Sequence, residues 1–311
     1  SYVRNNRNRG YSETLDHISA LRDGFTGWSS VGGYTSMEKL LELTAQYNKQ
    51  LKAHKFSILG GYSYTETDYE ETNFLNYGFQ DDYFGGWHNI GIGSALKEGK
   101  AEASSKKVTT NLIGFFGRAT YSYKERYLFM ASLRYEGASQ LWGTDNEWGA
   151  FPSVSLGWRI TEEAFMKNQR VFDDLKLRVG YGVTGSQPKD PFLGIAMLKY
   201  DKYAYVDGKW VQTIVPASNA NPDLKWEEKK ETNIGLDFAS LNGRLSGSID
   251  LYSRDVDGLL YEYRVSVPPN LYDKTWANGG KMQNRGIEVL LTGVPVRNKN
   301  IEWQTSITYS Y

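Results

Sequence analysis

The chain of 311 residues carries 36 Lys plus Arg against 36 Asp plus Glu, so no net field directs it towards nucleic acid. It has no cysteine, which excludes disulfides, thiolate nucleophiles and thiolate metal sites, and no run of about 18 apolar residues long enough for a membrane helix. Its 23 Tyr and 9 Trp beside 32 Gly and 8 Pro instead suit a protein of strands and turns.

Residues 1–10 are rich in Asn and Arg and contain no apolar stretch of the kind a signal peptide needs. A period of two begins at Leu41, where Leu41, Leu43, Ala45 and Tyr47 alternate with Glu42, Thr44 and Gln46, and it returns in Phe56, Ile58, Gly60, Tyr62 and Tyr64. The next pair sets Ile113, Phe115, Ala119, Tyr121 and Tyr123 before a tight turn at Lys124, then Tyr127, Phe129, Ala131, Leu133 and Tyr135. Leu156, Trp158 and Ile160 form a further apolar face, as do Leu175, Leu177, Val179, Tyr181 and Val183. Between them, residues 161–174 include Glu162 to Met166, which reads as one helical turn.

Thr232, Ile234, Leu236 and Phe238 face Leu245, Gly247, Ile249 and Leu251 across Asn242-Gly243, the dipeptide best suited to the positive φ angles of a type I′ turn. The last pair is Ile287, Val289 and Leu291, then Trp303, Thr305, Ile307, Tyr309 and Tyr311. The pattern predicts about ten antiparallel strands. Connections alternate in length, short at Asn48, Lys124, Asn242 and Gly293, long over 66–107, 185–228 and 255–282.

A soluble sandwich also alternates, but its strands are usually about five or six residues long. These approach the roughly nine to eleven that a tilted strand needs to cross a bilayer, and Tyr47, Tyr64, Tyr123, Tyr127, Trp303 and Tyr311 sit where interfacial girdles belong. The expected fold class is therefore all-β, an antiparallel transmembrane β-barrel, with short turns facing the periplasm and long loops facing outside.

Several motifs invite chemical readings. Gly180, Gly182 and Gly185 have G-x-G-x-x-G spacing, but Ser186, Gln187 and Pro188 open a loop where a nucleotide site needs a helix. His17, His54 and His88 are isolated, Asp255 to Gly258 lacks the later ligands of a calcium loop, and Glu162-Glu163 and Asp173-Asp174 sit at turns. No catalytic, metal or cofactor site is expected. The polar faces carry Arg118, Arg134, Glu136, Arg159, Arg178, Asp237, Asp250 and Arg254, which line the lumen of a barrel and either touch a solute or form a hydrated wall. Trp87, Trp142, Trp148, Trp210 and Trp276 lie in the predicted loops and are candidates for ligand contact as well as for loop packing.

Residues 114–127 (GFFGRATYSYKERY), 151–166 (FPSVSLGWRITEEAFM), 175–187 (LKLRVGYGVTGSQ), 221–228 (NPDLKWEE) and 284–288 (NRGIE) resemble the SusC/RagA group of TonB-dependent outer-membrane transporters of Bacteroidota. The resemblance implies a barrel of about 22 strands closed by a plug, of which this chain is a part without the plug. It also implies a TonB complex that supplies energy, a SusD-like surface lipoprotein acting as a lid, and import of an oligosaccharide or oligopeptide. A binding or adhesion barrel without transport is the alternative function.

Overall fold

The structure, a computed structural model, describes residues 1–18, 21, 24–82 and 85–311. In chain order its strands are β1 (Tyr2–Glu13), β2 (Trp28–Leu51), β3 (His54–Tyr77), β4 (Glu102–Tyr123) and β5 (Tyr127–Ala138). There follow β6 (Trp148–Arg159), β7 (Asp174–Ser186), β8 (Leu198–Val206), β9 (Lys209–Pro216) and β10 (Glu227–Ser240). The last are β11 (Leu245–Asp257), β12 (Leu260–Arg264), β13 (Lys274–Asn278), β14 (Lys281–Arg297) and β15 (Glu302–Ser310). Among the described residues eleven strands form one antiparallel sheet, in the order β1-β2-β3-β4-β5-β6-β7-β10-β11-β14-β15. β8–β9 and β12–β13 are separate hairpins within the connections from β7 to β10 and from β11 to β14.

The all-β expectation holds, with differences at the strand ends. β1 was read as an Asn/Arg-rich stretch; it pairs with β2 from Tyr2↔Lys39 to Glu13↔Trp28. β2 and β3 each run 24 residues, so the first turn falls at 52–53 rather than at Asn48, and β3 continues eleven residues past Glu66 to Tyr77. These extra lengths scatter their apolar residues over both faces, Trp28 and Tyr34 on one and Val31 and Met37 on the other in β2, so they carry no apolar alternation to detect. Gly293 lies inside β14, beside a register shift between Gly293 and Val296, and the turn comes at 298–301. The helical turn expected near Glu162 is present as two short 3₁₀ segments, Ile160–Glu162 and Ala164–Met166. Asn242 and Gly243 both have positive φ, as the type I′ reading requires.

The chain divides into two compact units, one of Ser1–Leu41 with Tyr64–Asn111, the other of Glu42–Ser63 with Leu112–Tyr311. In the first, ion pairs join the strands beside the aromatic pairs Tyr11–Trp28 and Tyr34–Tyr69. Lys39 reaches Glu66 at 2.6 Å and Asp68 at 3.4 Å, Lys107 reaches Glu70 at 2.6 Å, and Arg9 reaches Glu71 at 3.1 Å. Its connection 78–101 is anchored by the buried Asn76, whose Nδ2 donates to Ile90 O and Gly93 O.

The second unit is a two-faced sheet whose registers align side chains in rows. One row reads Tyr121, Phe129, Leu156, Val179, Ile234, Leu251 and Ile287 across β4, β5, β6, β7, β10, β11 and β14. The next row on the same face is Tyr123, Tyr127, Trp158, Leu177, Leu236, Ile249 and Val289, so aromatic rings gather where short turns join the strands. Leu156 is 55% exposed and Leu251 51%. An apolar band bare over seven strands is far larger than a soluble monomer tolerates and matches the lipid-facing belt of a barrel. The buried core lies elsewhere, where Ala138, Leu141, Phe151, Leu224 and Trp226 pack together with Trp276 against them.

Candidate functional site: the polar face and its connections

The opposite face of the second unit repeats the row logic with different residues. Thr120, Met130, Ser155, Gly180, Asn233, Tyr252 and Gly286 form one row, and Ser122, Leu128, Gly157, Arg178, Gly235, Asp250 and Glu288 the next. The registers place Arg118, Arg134, Glu136, Arg159, Arg178, Asp237, Asp250 and Arg254 all on this one face. A concavity of about 850 Å³ runs along β3 to β7, lined by Ser122, Met130, Ser155 and Gly157 together with Tyr121 and Leu156.

The charges are paired with one another. Arg178 makes two 2.8 Å bonds to the Asp237 carboxylate and reaches Asp250 at 3.0 Å, and Gly235 leaves the space in which its guanidinium crosses the sheet. Arg254 donates to Glu231 at 2.8 Å, Arg134 to Glu136, and Arg159 lies 3.4 Å from Asp174. Arg118 is exposed on the face. Such a face offers donors and acceptors to a polar solute without a nucleophile beside a base. Among the described residues no group of three or more His, Asp or Glu is placed to hold a metal. The Gly-rich motif has a packing role at its end, since the Phe151 ring lies where a side chain on Gly185 would stand.

At the short-turn end a single carboxylate joins three elements. Glu163 accepts from Tyr127 Oη at 2.6 Å, Arg126 at 2.9 Å and Trp158 Nε1 at 3.0 Å. The Tyr127 hydroxyl foremost, with help from Trp158 and the Arg126 charge, holds the Glu163 carboxyl below its ordinary value, against the opposing pull of desolvation.

At the other end the connections 187–226 and 258–280 are laced together by asparagine amides that sequence reading did not single out. Asn219 Nδ2 donates to Tyr272 O and Lys274 O, while its Oδ1 accepts from the N–H groups of Leu271 and Tyr272. Asn221 donates to Trp276 O at 2.7 Å, and Asn278 bonds both the N–H and the C=O of Lys225. Trp226, also unremarked, is 3% exposed and stands edge-on to Phe151 at 5.2 Å. The NPDLKW stretch carried the signal, because a Trp and a Leu between polar turn residues mark a connection that has a core of its own.

The five candidate tryptophans separate by environment. Trp276 packs against the buried cluster, and Trp148 opens β6 instead of lying in a loop, stacked at 5.0 Å on Tyr135 on the apolar face. Trp87 lies against the His88 ring in the first unit. Trp142 and Trp210 are 57% and 69% exposed.

Comparison with known proteins agrees with this geometry. The family model "TonB dependent receptor-like, beta-barrel" matches residues 1–311. TonB-dependent receptor SusC of Bacteroides thetaiotaomicron is 34% identical over 97% of this chain and 29% of its own length. TonB-dependent receptor P39 of Formosa agariphila is 34% identical over 85% of this chain and 25% of its own. Among solved structures, the RagAB peptide transporter superposes with a TM-score of 0.79 at 22% identity, over 100% of this chain and 33% of that one. The chain thus spans about a third or less of the length of these relatives. Its bare apolar belt, its polar opposite face and the family match over its whole length agree, and the chain belongs to the β-barrel family of TonB-dependent receptors of the outer membrane.

Proposed function

We propose that this chain forms part of the wall of an outer-membrane importer, energised through a TonB complex, that takes up an oligosaccharide or oligopeptide together with a SusD-like lid lipoprotein. The observation that carries this reading is the two-faced register. Seven strands present an unbroken apolar row to lipid, while the rows behind it, Met130 and Leu128 apart, are polar, charged or glycine, the lining expected of a path for a hydrated solute. In this reading the eight charged residues of the polar face line the lumen, and a plug outside this segment packs within it. The connections 139–147, 187–226 and 258–280 face outside, with Trp142 and Trp210 as the exposed rings available to cargo. The relatives support the class of activity, one of them being described as a peptide transporter.

The test is accumulation of labelled oligosaccharides and oligopeptides by cells that carry or lack the gene, with and without a working TonB. Uptake that needs both supports the importer. Surface binding that never leads to accumulation, whatever the state of TonB, points instead to an adhesion barrel.

A further inference from the structure

The β8–β9 hairpin rises from the edge of a cavity. Met197 and Ala217 are its two feet, tied by the Ala217 N–H donating to Met197 O at 2.7 Å. Beyond them Leu198 pairs with Pro216 and Tyr200 with Ile214. From Tyr200 to Tyr203 is three residues on β8, while from Ile214 to Gln212 is two on β9, so one extra residue is inserted and Asp201 and Lys202 together oppose Thr213. Thr213 Oγ1 donates to Lys202 O at 2.7 Å and fixes this bulge. The two feet line a cavity of about 190 Å³, together with Phe192 and Leu193 from the same connection and Tyr272 and Trp276 from the other.

Its walls are held in place from two sides. Leu193 and Trp276 also pack on the buried cluster around Leu141, Leu224 and Trp226, which anchors them to the core. Phe192, by contrast, has φ of 66°, a left-handed conformation that glycine takes freely and a bulky side chain rarely adopts. Residues held this way gather at ligand clamps, and here the strained backbone keeps an aromatic ring on the cavity wall.

The polar groups around the cavity decide what it accepts. Asn219 spends both amide hydrogens and its carbonyl oxygen on the backbone of 271–274. Ser218 Oγ donates to Ile195 O and accepts from the Met197 N–H. What remains is apolar side-chain surface, the Tyr272 and Thr275 hydroxyls, and the ion pair of Lys274 with Glu262 at 2.7 Å, both ends of which reach solvent. A sugar ring carries hydroxyls on most of its carbons, and each one buried here without a partner would forfeit its hydrogen bonds to water. An apolar amino-acid side chain forfeits none. The peptide groups on either side of it each present one N–H and one C=O, to which the Glu262 carboxylate and the Lys274 ammonium are the matching acceptor and donor.

We propose that this cavity is a side-chain subsite for an oligopeptide, seating an apolar residue of the size of leucine or phenylalanine with its backbone along the Lys274–Glu262 pair. The proposal rests on the importer reading above and makes its cargo a peptide.

The experiment uses the full-length protein in detergent and N-acetylated, C-amidated pentapeptides of alanine whose central residue is leucine, phenylalanine or serine, with maltohexaose as the glycan, read by isothermal titration calorimetry. The leucine and phenylalanine peptides should bind at least about tenfold more tightly than the serine peptide. Ala217→Leu, which fills the cavity, and Phe192→Gly, which suits the backbone but removes the wall, should each bring that ratio below about threefold and leave the serine peptide within about twofold of its wild-type affinity. Because Phe192→Gly relieves the strained backbone, it keeps the test decisive where Ala217→Leu disturbs the hairpin. The proposal is overturned if none of the peptides binds, if the three bind alike, or if the variants keep the wild-type preference. Maltohexaose binding that both variants abolish overturns it too. Uptake of the same peptides separates the two readings: binding through the cavity without TonB-dependent accumulation sinks the importer alone, and TonB-dependent accumulation that ignores the central residue and both variants sinks this proposal alone.

Discussion

Glu163 accepts hydrogen bonds from the start of β5, the end of β6 and the turn before β5, so the short-turn end of these strands is fastened through one ionised carboxylate. Because its native pKa is lowered, the carboxylate contributes stability that is fully present above the unfolded glutamate value. That contribution is lost as pH falls through the lowered native value. Glu163→Gln in the full-length protein should therefore lower the thermal midpoint near neutrality and flatten its decline in acid, measured by thermal scans at a series of pH values; unchanged curves would count against the clasp. On the polar face, Arg178→Ala leaves Asp250 without its cation and Asp237 with Lys176 alone, at 3.7 Å, and should cost about 1 to 2 kcal/mol, with Asp250→Asn costing less, read from urea unfolding in micelles. Sequence identified these charges as one face, because parity along each strand is local. It could not identify the pairs: Arg178 meets Asp237 and Asp250 only once β7, β10 and β11 are in register.

Element by element, legibility followed the apolar belt. β4 to β7, β10 and β11 were readable because one side of each is greasy; β1 and the long ends of β2 and β3 were not, since Arg and Asn fill both sides of β1 and the apolar residues of the other two fall on both sides. Asp207-Gly208 is as good a hairpin dipeptide as Asn242-Gly243, yet β8–β9 went unread because the bulge breaks the alternation of Tyr200, Tyr203 and Tyr205. The assigned faces make a sharp prediction. Leu236→Arg, in the apolar rows, should destabilise the barrel by about 2 to 4 kcal/mol if it lies near the midplane, whereas Asn233→Arg on the polar face should cost less. Equal costs in a folding assay in lipid vesicles would overturn the facing. Asn219→Ala, which orphans two N–H groups and two carbonyls, should raise hydrogen exchange across 266–278 by roughly tenfold or more while leaving the strands protected.

Across the whole molecule, both units carry ion pairs, and only the second adds a buried cluster and interlaced asparagine amides, so salt should affect them unequally. At 1 M salt the screening length is about 3 Å, so exposed pairs such as Arg9 with Glu71 and Lys107 with Glu70 weaken, whereas in the second unit the half-buried pairs of Arg178, the buried cluster and the amide hydrogen bonds are screened less. Exchange in the first unit should rise roughly two- to fivefold, with little change in the second; a uniform response would refute the distinction. The family and the barrel class were legible from the chain because belt, girdle and turn spacing repeat many times. The interlaced connections were not, since each tie, such as Asn219 to Tyr272, depends on one amide meeting a backbone some fifty residues away.

The single inserted residue in β8 also bears on how such proteins diversify. In β5 to β7 a one-codon insertion or deletion would rotate every later side chain of the strand, exchanging the residues of the apolar face for those of the polar face and forfeiting the fold. In β8 the same event merely selects which set of rings the hairpin displays, with Thr213 ready to close or release the bulge. Gain and loss of single codons, usually the most damaging of small genetic changes, becomes here a way to change the displayed side chains while the sheet keeps its register.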